Sequence, residues 1–341
     1  MPTPARLDQD RRLSPLGRVA TGTAVALAAM AAFNIAAARR AERRNPPRGR
    51  FVDAHGVRLH VVDRGSGPPV VMLHGNGSMA QEMLLSGVPD RLARNHRVLV
   101  FDRPGFGHSE RGARFATPVM QARLIRRALR RMGVERPIIV GHSWGTLVAL
   151  EMAFAEPEET AGLVLIGGYY QPTLRFDVPM MSIPAVPVAG DLLSVTLWPL
   201  LGRLMAGPVI ARLFEPAPVT EHIRRGFPVE MAVRPSQLRA GAAEAAMMIP
   251  SVASMMERAR GLTMPVVAIA GAGDRMVTTA RHSAELDVDA PGSGFISLPD
   301  AGHMVHHTKP EHVAAAIERV ANIAWPQQSF PVRQPEPVPP L

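Results

Sequence analysis

The chain contains no cysteine. This excludes disulfides, thiolate metal sites and a cysteine nucleophile, and leaves the redox compartment open. Lysine is almost missing as well: Lys309 stands alone, so the basic charge is carried by arginine. Aromatic residues are 5% of the chain, with two tyrosines, Tyr169 and Tyr170. No recognisable nucleic-acid-binding module accompanies the arginines. The formal net charge of +9 is therefore not read as a sign of nucleic-acid binding. One basic cluster, Arg123, Arg126, Arg127, Arg130 and Arg131, has the spacing of the wet face of a helix, with Leu124, Ala128 and Leu129 turned inward. Another fills Arg39 to Arg50, with six arginines and one glutamate.

What is present is apolar material in quantity. The 341 residues are 47% hydrophobic, which argues against global disorder, and the length suffices for a large single domain with an insertion or for two domains. Residues 19–38, VATGTAVALAAMAAFNIAAA, carry no charge. As a helix they measure about 30 Å, the thickness of a bilayer core. The expectation is one amino-terminal membrane anchor, following a basic tail at 1–18 and preceding a basic Pro/Gly linker at 39–50. A secretory signal ending near Ala36–Ala38 is the alternative, and a surface-lying helix a third. The arginines after the run favour a cytoplasmic catalytic domain at a bacterial inner membrane; signal cleavage would instead give a secreted or periplasmic protein.

From Phe51 the texture becomes globular. Short apolar segments at 69–73, 97–101, 138–140, 163–166, 266–270 and 295–298 read as strands. The stretches 118–132, 145–154 and 311–324 have helical periodicity. This alternation predicts an α/β fold with a mostly parallel sheet covered on both faces, with chemistry at the carboxyl ends of its strands. The core is assigned to 51–170 and 257–325. Between them, residues 171–256 lose strand alternation and gain prolines, leucines and methionines; an inserted helical cap is expected. The Pro-rich residues 326–341 read as a flexible tail.

The segment 141-GHSWG-145 follows an apolar strand and opens a helix. A serine needs a base to become nucleophilic and a sharp strand-to-helix turn to be exposed. Ser143 is the candidate nucleophile, with Gly141 and Gly145 keeping the turn uncrowded. The base is expected on a late loop, where His303 lies between Asp300-Ala301-Gly302 and Pro310. His306 and His307 compete with it, and their H-x-x-H-H spacing also raises metal binding. No carboxylate-rich partner motif accompanies them, so no metal is assigned. Asp274, ending VVAIAGAGD, is the candidate acid. The turn after the preceding strand, Gly167-Gly168-Tyr169-Tyr170, offers no carboxylate in its place. The oxyanion requires two N–H donors, expected from the backbone of Trp144 and of Asn76 in 74-HGNG-77. Gly75 and Gly77 allow close approach there.

Together, 74-HGNG, 102-DRPGFGHS, 141-GHSWG, 271-GAGD and 302-GH resemble the α/β-hydrolase superfamily, over residues 51–325. The nearest resemblance is to its capped branch, with esterases, carbon–carbon bond hydrolases, haloperoxidase-like proteins, epoxide hydrolases and haloalkane dehalogenases. The resemblance implies Ser143 as nucleophile, Asp274 as acid and His303 as base. It implies Asn76 and Trp144 as oxyanion donors, His74 as a support of the oxyanion loop, and Asp102 and Arg103 as a packed structural turn. The dehalogenases and epoxide hydrolases use an aspartate where this chain has Ser143, and epoxide hydrolases add cap tyrosines. The expected function is a cofactor-free serine hydrolase of an apolar small-molecule ester. Carbon–carbon or amide cleavage with the same triad, and a non-catalytic binding protein on this scaffold, are the alternatives. Oligomeric state is left open.

Overall fold

A computed structural model describes residues 14–112, 117–172, 177–253, 255–276, 286 and 290–327. The tail from residue 328 and the first thirteen residues lie outside it. Eight strands form one sheet: β1 (Arg50–Asp53), β2 (Arg58–Arg64), β3 (Pro69–Leu73), β4 (Arg97–Phe101), β5 (Ile138–His142), β6 (Gly162–Ile166), β7 (Val266–Gly271) and β8 (Gly294–Leu298). Their order is β1-β2-β4-β3-β5-β6-β7-β8. The first two are antiparallel additions and the remaining neighbours are parallel. The β1–β2 turn places His55 and Gly56 at positive φ, of 58° and 78°.

Strand alternation sorts side chains into two cores. Val71, Leu73, Ile139, Leu163 and Leu165 face α4 (Pro118–Arg131) and α5 (Trp144–Ala155). Val70, Met72, Ile138, Val140, Val164 and Ile166 face the other way. They meet α2 (Ala80–Leu85), α3 (Val88–Leu92) and α14 (Pro310–Ala324), numbering the helices in chain order. Helix α4 starts at Pro118 because Thr117 caps it, accepting the Met120 N–H at 3.2 Å. One residue of its expected wet face turns inward. Arg126 is buried, donating to the carbonyls of Met152 and Glu159 and to the Thr160 hydroxyl. It ties down the end of α5, whose last carbonyls lack helical partners.

The segment between β6 and β7 is helical. It comprises α6 (Asp177–Ser182), α7 (Ala189–Val195), α8 (Leu197–Phe214), α9 (Glu221–Gly226), α10 (Val229–Ala232), α11 (Pro235–Val252) and α12 (Met255–Ala259). This is the inserted helical layer over the carboxyl ends of the strands. A last short helix, α13 (Val305–Thr308), precedes α14.

The amino-terminal helix α1 runs from Pro15 to Arg44, thirty residues. It is long and apolar enough to cross a membrane. It extends beyond the apolar run at both ends, and the first half of the expected linker at 39–50 belongs to this helix. Residues Ala38 to Arg44 have no helix breaker before Pro46, and Arg43 and Arg44 suit a helix carboxyl end.

Candidate active site

Strand register assembles the site. On the parallel pair β3–β5, Leu73 lies opposite Gly141, so the chain beyond each strand emerges side by side. Gly75 then meets Ser143: a Cβ on Gly75 would lie 3.1 Å from the Ser143 Cβ. Ser143 itself has φ 51° and ψ −119°, outside the regions open to ordinary residues. Such strain costs about 1–3 kcal/mol and persists only when the surroundings enforce it. Here the enforcement is visible. The Ser143 N–H donates to the Ile166 carbonyl of the next strand at 2.8 Å, and the Ser143 carbonyl accepts from Thr146 N–H and Oγ1. Gly141 and Gly145 are pressed together; a Cβ on Gly141 would stand 2.5 Å from the Gly145 carbonyl.

His303 and Asp274 come from the loops after β8 and β7. Nδ1 of His303 is 2.7 Å from Oδ2 of Asp274, and both side chains are buried. The Asp274 carboxylate also accepts the Met276 N–H, at 2.8 Å. His306 and His307, the rival histidines, turn away. Their Nε2 atoms lie 2.5 and 2.6 Å from one oxygen of Glu82, on α2. The His142 ring fills the space between, with centroids 4.9 Å from His303 and 4.3 Å from His306. Its Nε2–H donates to the His303 carbonyl at 3.1 Å.

Burial holds His142 and His306 below the usual imidazole range. The two imidazoles on Glu82 hold its carboxyl well below the usual carboxylate range despite burial. Among the described residues, Glu82, His306 and His307 form a group of ligand-type side chains that could hold an ion, their atoms lying within 4.8 Å of one another. As they stand, one carboxylate oxygen accepts both Nε2–H groups. Neither Glu82 nor this arrangement was legible in the sequence, because Glu82 is more than 220 residues from its partners.

The loop after β3 is held from two directions. His74 Nδ1–H donates to the Gly75 carbonyl at 2.8 Å, and its Nε2 accepts the Arg103 N–H at 3.0 Å. Burial, and then the Arg103 charge, push His74 down to about 3, so it stays neutral and its tautomer is set by these bonds. The Arg103 guanidinium donates to the carbonyls of His74 and Gly75, at 2.7 and 2.9 Å. It also closes on Glu244, in the middle of α11, and on Gln121 of α4. Asp102 and Arg103 share a turn but do not pair. Asp102 accepts from Ala80 N–H, His108 N–H and His60 Nδ1 at 2.7 to 2.9 Å. Gly107, at φ +54°, presses on the Asp102 carboxylate, and a Cβ there would stand 2.1 Å from it.

The cap closes over this loop. Asn76 Nδ2 donates to the Gly241 carbonyl of α11 at 3.0 Å, tying the oxyanion loop to the cap. The His303 N–H donates to the Leu213 carbonyl of α8, also at 3.0 Å. A cavity of about 420 Å³ lies between, lined by Asn76, Ser143, Trp144 and His303 from the core and by Met205, Val209 and Leu213 from α8. Tyr169 also lines it, whereas Tyr170 is fully buried. Trp144 is the first residue of α5, where backbone N–H groups have no helical acceptor and favour negative charge. The Glu244, Gln121 and α8 contributions carry no motif and were missed by sequence reasoning.

The comparisons with known proteins agree with this architecture. The family described as "Alpha/beta hydrolase family" matches residues 70–316. Haloalkane dehalogenase 2 of Mycobacterium tuberculosis is 27% identical over 282 residues, 80% of this chain and 94% of its own. The 2-hydroxymuconate semialdehyde hydrolase of Pseudomonas putida is 35% identical over 130 residues, 37% of this chain and 46% of its own. Among solved structures, the meta-cleavage product hydrolase CumD of Pseudomonas fluorescens superposes with a TM-score of 0.64 at 20% identity, covering 81% of this chain and 98% of that one. With a strained serine between sheet and helix, a histidine that lines the same cavity and is bonded to an aspartate, and a family match across all three, the chain belongs to the alpha/beta hydrolase family.

Proposed function

We propose that this chain is a serine hydrolase that attacks a carbonyl carbon of an apolar small molecule and splits it through an acyl-enzyme. The observation that carries this reading is Ser143, held at φ 51° on the wall of the cavity that His303 also lines, with His303 bonded to Asp274. Asp274 holds Nδ1 and leaves Nε2 to take the Ser143 proton. Oγ attacks, and the N–H groups of Asn76 and Trp144 receive the oxyanion. The imidazolium then protonates the leaving group, and water repeats the attack on the acyl-enzyme.

Two leaving groups suit this machinery. In the first reading a carbon–carbon bond beside a second carbonyl breaks, giving a carboxylic acid and a ketone. The 35% identity with a 2-hydroxymuconate semialdehyde hydrolase supports it, as does the likeness to a meta-cleavage product hydrolase in fold. In the second reading an ester gives an acid and an alcohol. Its support is that it needs nothing beyond Ser143, His303, Asp274 and two N–H donors. The apolar α8 side chains facing Ser143 support an apolar substrate in both.

The amino-terminal helix acts in this proposal as a membrane anchor, holding the catalytic domain at a bilayer. The deciding experiment offers the purified enzyme a 1,3-diketone and an ester of matched chain length and identifies products by chromatography. Acid plus methyl ketone establishes carbon–carbon cleavage, and acid plus alcohol establishes ester cleavage. Turnover of either that survives Ser143→Ala overturns the serine mechanism.

A further inference from the structure

Helix α8 is apolar on both sides. Gly202, Ala206, Val209 and Leu213, spaced by three and four residues, line the catalytic cavity. Leu197, Leu200, Leu201 and Leu204, with the same spacing, occupy the opposite side and are exposed, Leu204 at 66%. A helix that is hydrophobic all round is ordinarily buried. This one has its outer side uncovered, as do Met180, Ile183, Val186 and Val188 on the preceding cap segment. Charge is nearly absent from this surface among the described residues 178–210: Asp191 pairs with Arg239 of α11, and Arg203 with Asn34. Isolated exposed leucines need no explanation, but a continuous apolar face so poor in charge marks an interaction surface.

The occupant is indicated by α1. Its first half, from Pro15 to Ala29, stands off the protein and is exposed along nearly all its length. Its second half packs on the cap. The Asn34 side chain is buried there, donating to the carbonyls of Val195 and Thr196 at 3.0 and 2.7 Å and accepting from Arg203 at 3.0 Å. Asn34 lies inside the apolar run, five residues before Arg39. At 1.5 Å per residue, its bonds to the α7–α8 junction lie about 7 Å inward from the first arginine. That is the depth to which interfacial helices sink their apolar sides, about 5–10 Å. The exposed arginines Arg39, Arg40, Arg43, Arg44 and Arg48 follow at headgroup level, where anionic lipid attracts them.

Resting on the anchoring reading above, we infer that the outer face of the cap, centred on Leu200 and Leu204, is sunk in the lipid interface that α1 enters, and that the cavity receives its substrate from the bilayer. The mouth faces the right way. Met181, Met205 and Val209 both line the cavity and are exposed, so they form a rim on this same apolar surface. A membrane-dissolved carbonyl compound passes between them to Ser143 without crossing water. The substrate class is thereby narrowed to molecules that partition into lipid.

The missing cysteines make the test clean, since one introduced thiol is the only labelling site. Leu200→Cys, Leu204→Cys, Val25→Cys and Arg127→Cys would each be spin-labelled in the full chain, reconstituted in phosphatidylethanolamine–phosphatidylglycerol vesicles. Power saturation compares accessibility to oxygen, which concentrates in lipid, and to a nickel chelate, which stays in water. Oxygen should dominate at Val25, Leu200 and Leu204, and the chelate at Arg127 on the wet side of α4. Chelate dominance at Leu200 and Leu204, with oxygen at Val25, overturns the inference while the anchor stands. Chelate dominance at Val25 as well removes the anchor reading and this inference with it. Labels at Leu200 and Leu204 shielded from both reagents mean a protein covers the face, which also overturns it.

Discussion

The guanidinium of Arg103 closes on the carboxylate of Glu244, and neither side chain is exposed. Arg103 follows β4 in the core and Glu244 sits within α11 of the cap, 141 residues later. The pair joins the two layers at the point where the same guanidinium holds the His74 and Gly75 carbonyls. Burial raises Glu244 above the usual carboxylate range, against the lowering effect of Arg103. Removing one member leaves the other charge buried and alone, at a cost of about 3–5 kcal/mol. Glu244→Ala is expected to lose stability on that scale in urea unfolding. The double replacement Arg103→Met, Glu244→Leu should lose less than the sum of the two single changes, since they share one interaction.

Ser143→Ala should abolish labelling by a fluorophosphonate probe and lower turnover by at least about a thousandfold. Its melting temperature should stay within a few degrees of the parent, because the backbone bond to Ile166 is retained. Asp274→Asn should keep some labelling at a much lower rate, since it disturbs the His303 tautomer and not the nucleophile. Equal labelling rates in Asp274→Asn and the parent would remove Asp274 from the mechanism.

Stability should fall as the solution is acidified below the ordinary histidine range. His74, His142 and His306 are all pushed down in the folded protein, His74 to about 3. Below about 6.5 the unfolded chain therefore binds protons that the folded chain refuses, and stability rises with pH there. Each such histidine contributes at most about 1.4 kcal/mol per pH unit. The lowered Glu82 adds a loss of the same sign below about 4.5, continuing until its own depressed value is passed. The raised Glu244 has the opposite sign, its contribution declining as pH rises through its folded value. Unfolding free energy measured from pH 8 to 5 should be flat and then drop, and His142→Gln should reduce the slope. A flat profile down to pH 5 would contradict the burial of these groups.

Asn34→Leu removes the bonds that seat α1 on the cap at Val195 and Thr196. The carbonyls left behind, and the Arg203 group that Asn34 accepts from, predict a loss of about 1–3 kcal/mol. Hydrogen exchange of residues 189–204 should quicken in this variant while that of β5 and β6 stays unchanged. Equal exchange in Asn34→Leu and the parent would mean the cap does not depend on α1.

The strands, the helices after them and the glycines of the serine turn were legible because each is a local matter. A short unbroken run of Val, Leu, Ile and Ala marks β6 and β7, strands buried on both faces, and a helix need only begin after Ser143 for the turn to be recognised. The motif order pointed to Ser143, Asp274 and His303 as candidates. The surroundings of His303, His306 and His307 were not legible in the same way. All three sit within five residues with the same chemistry, and what separates them is which carboxylate each meets: Asp274 for the first, Glu82 for the other two. Arg126 shows the same limit, since helical spacing put it in water and the end of α5 drew it inside.

Sequence by itself determined that this chain makes a parallel sheet with a serine turn, a helical insertion and an apolar amino-terminal helix. These follow from composition, periodicity and turn chemistry, which act over a few residues. Tertiary structure alone decided that Glu244 neutralises Arg103, that Glu82 takes two histidines, and that Asn34 belongs to the cap. Each joins residues more than a hundred positions apart, and no local propensity encodes such a pairing. It is set by which loops the sheet register brings together, and by the cost of leaving a buried polar group without a partner.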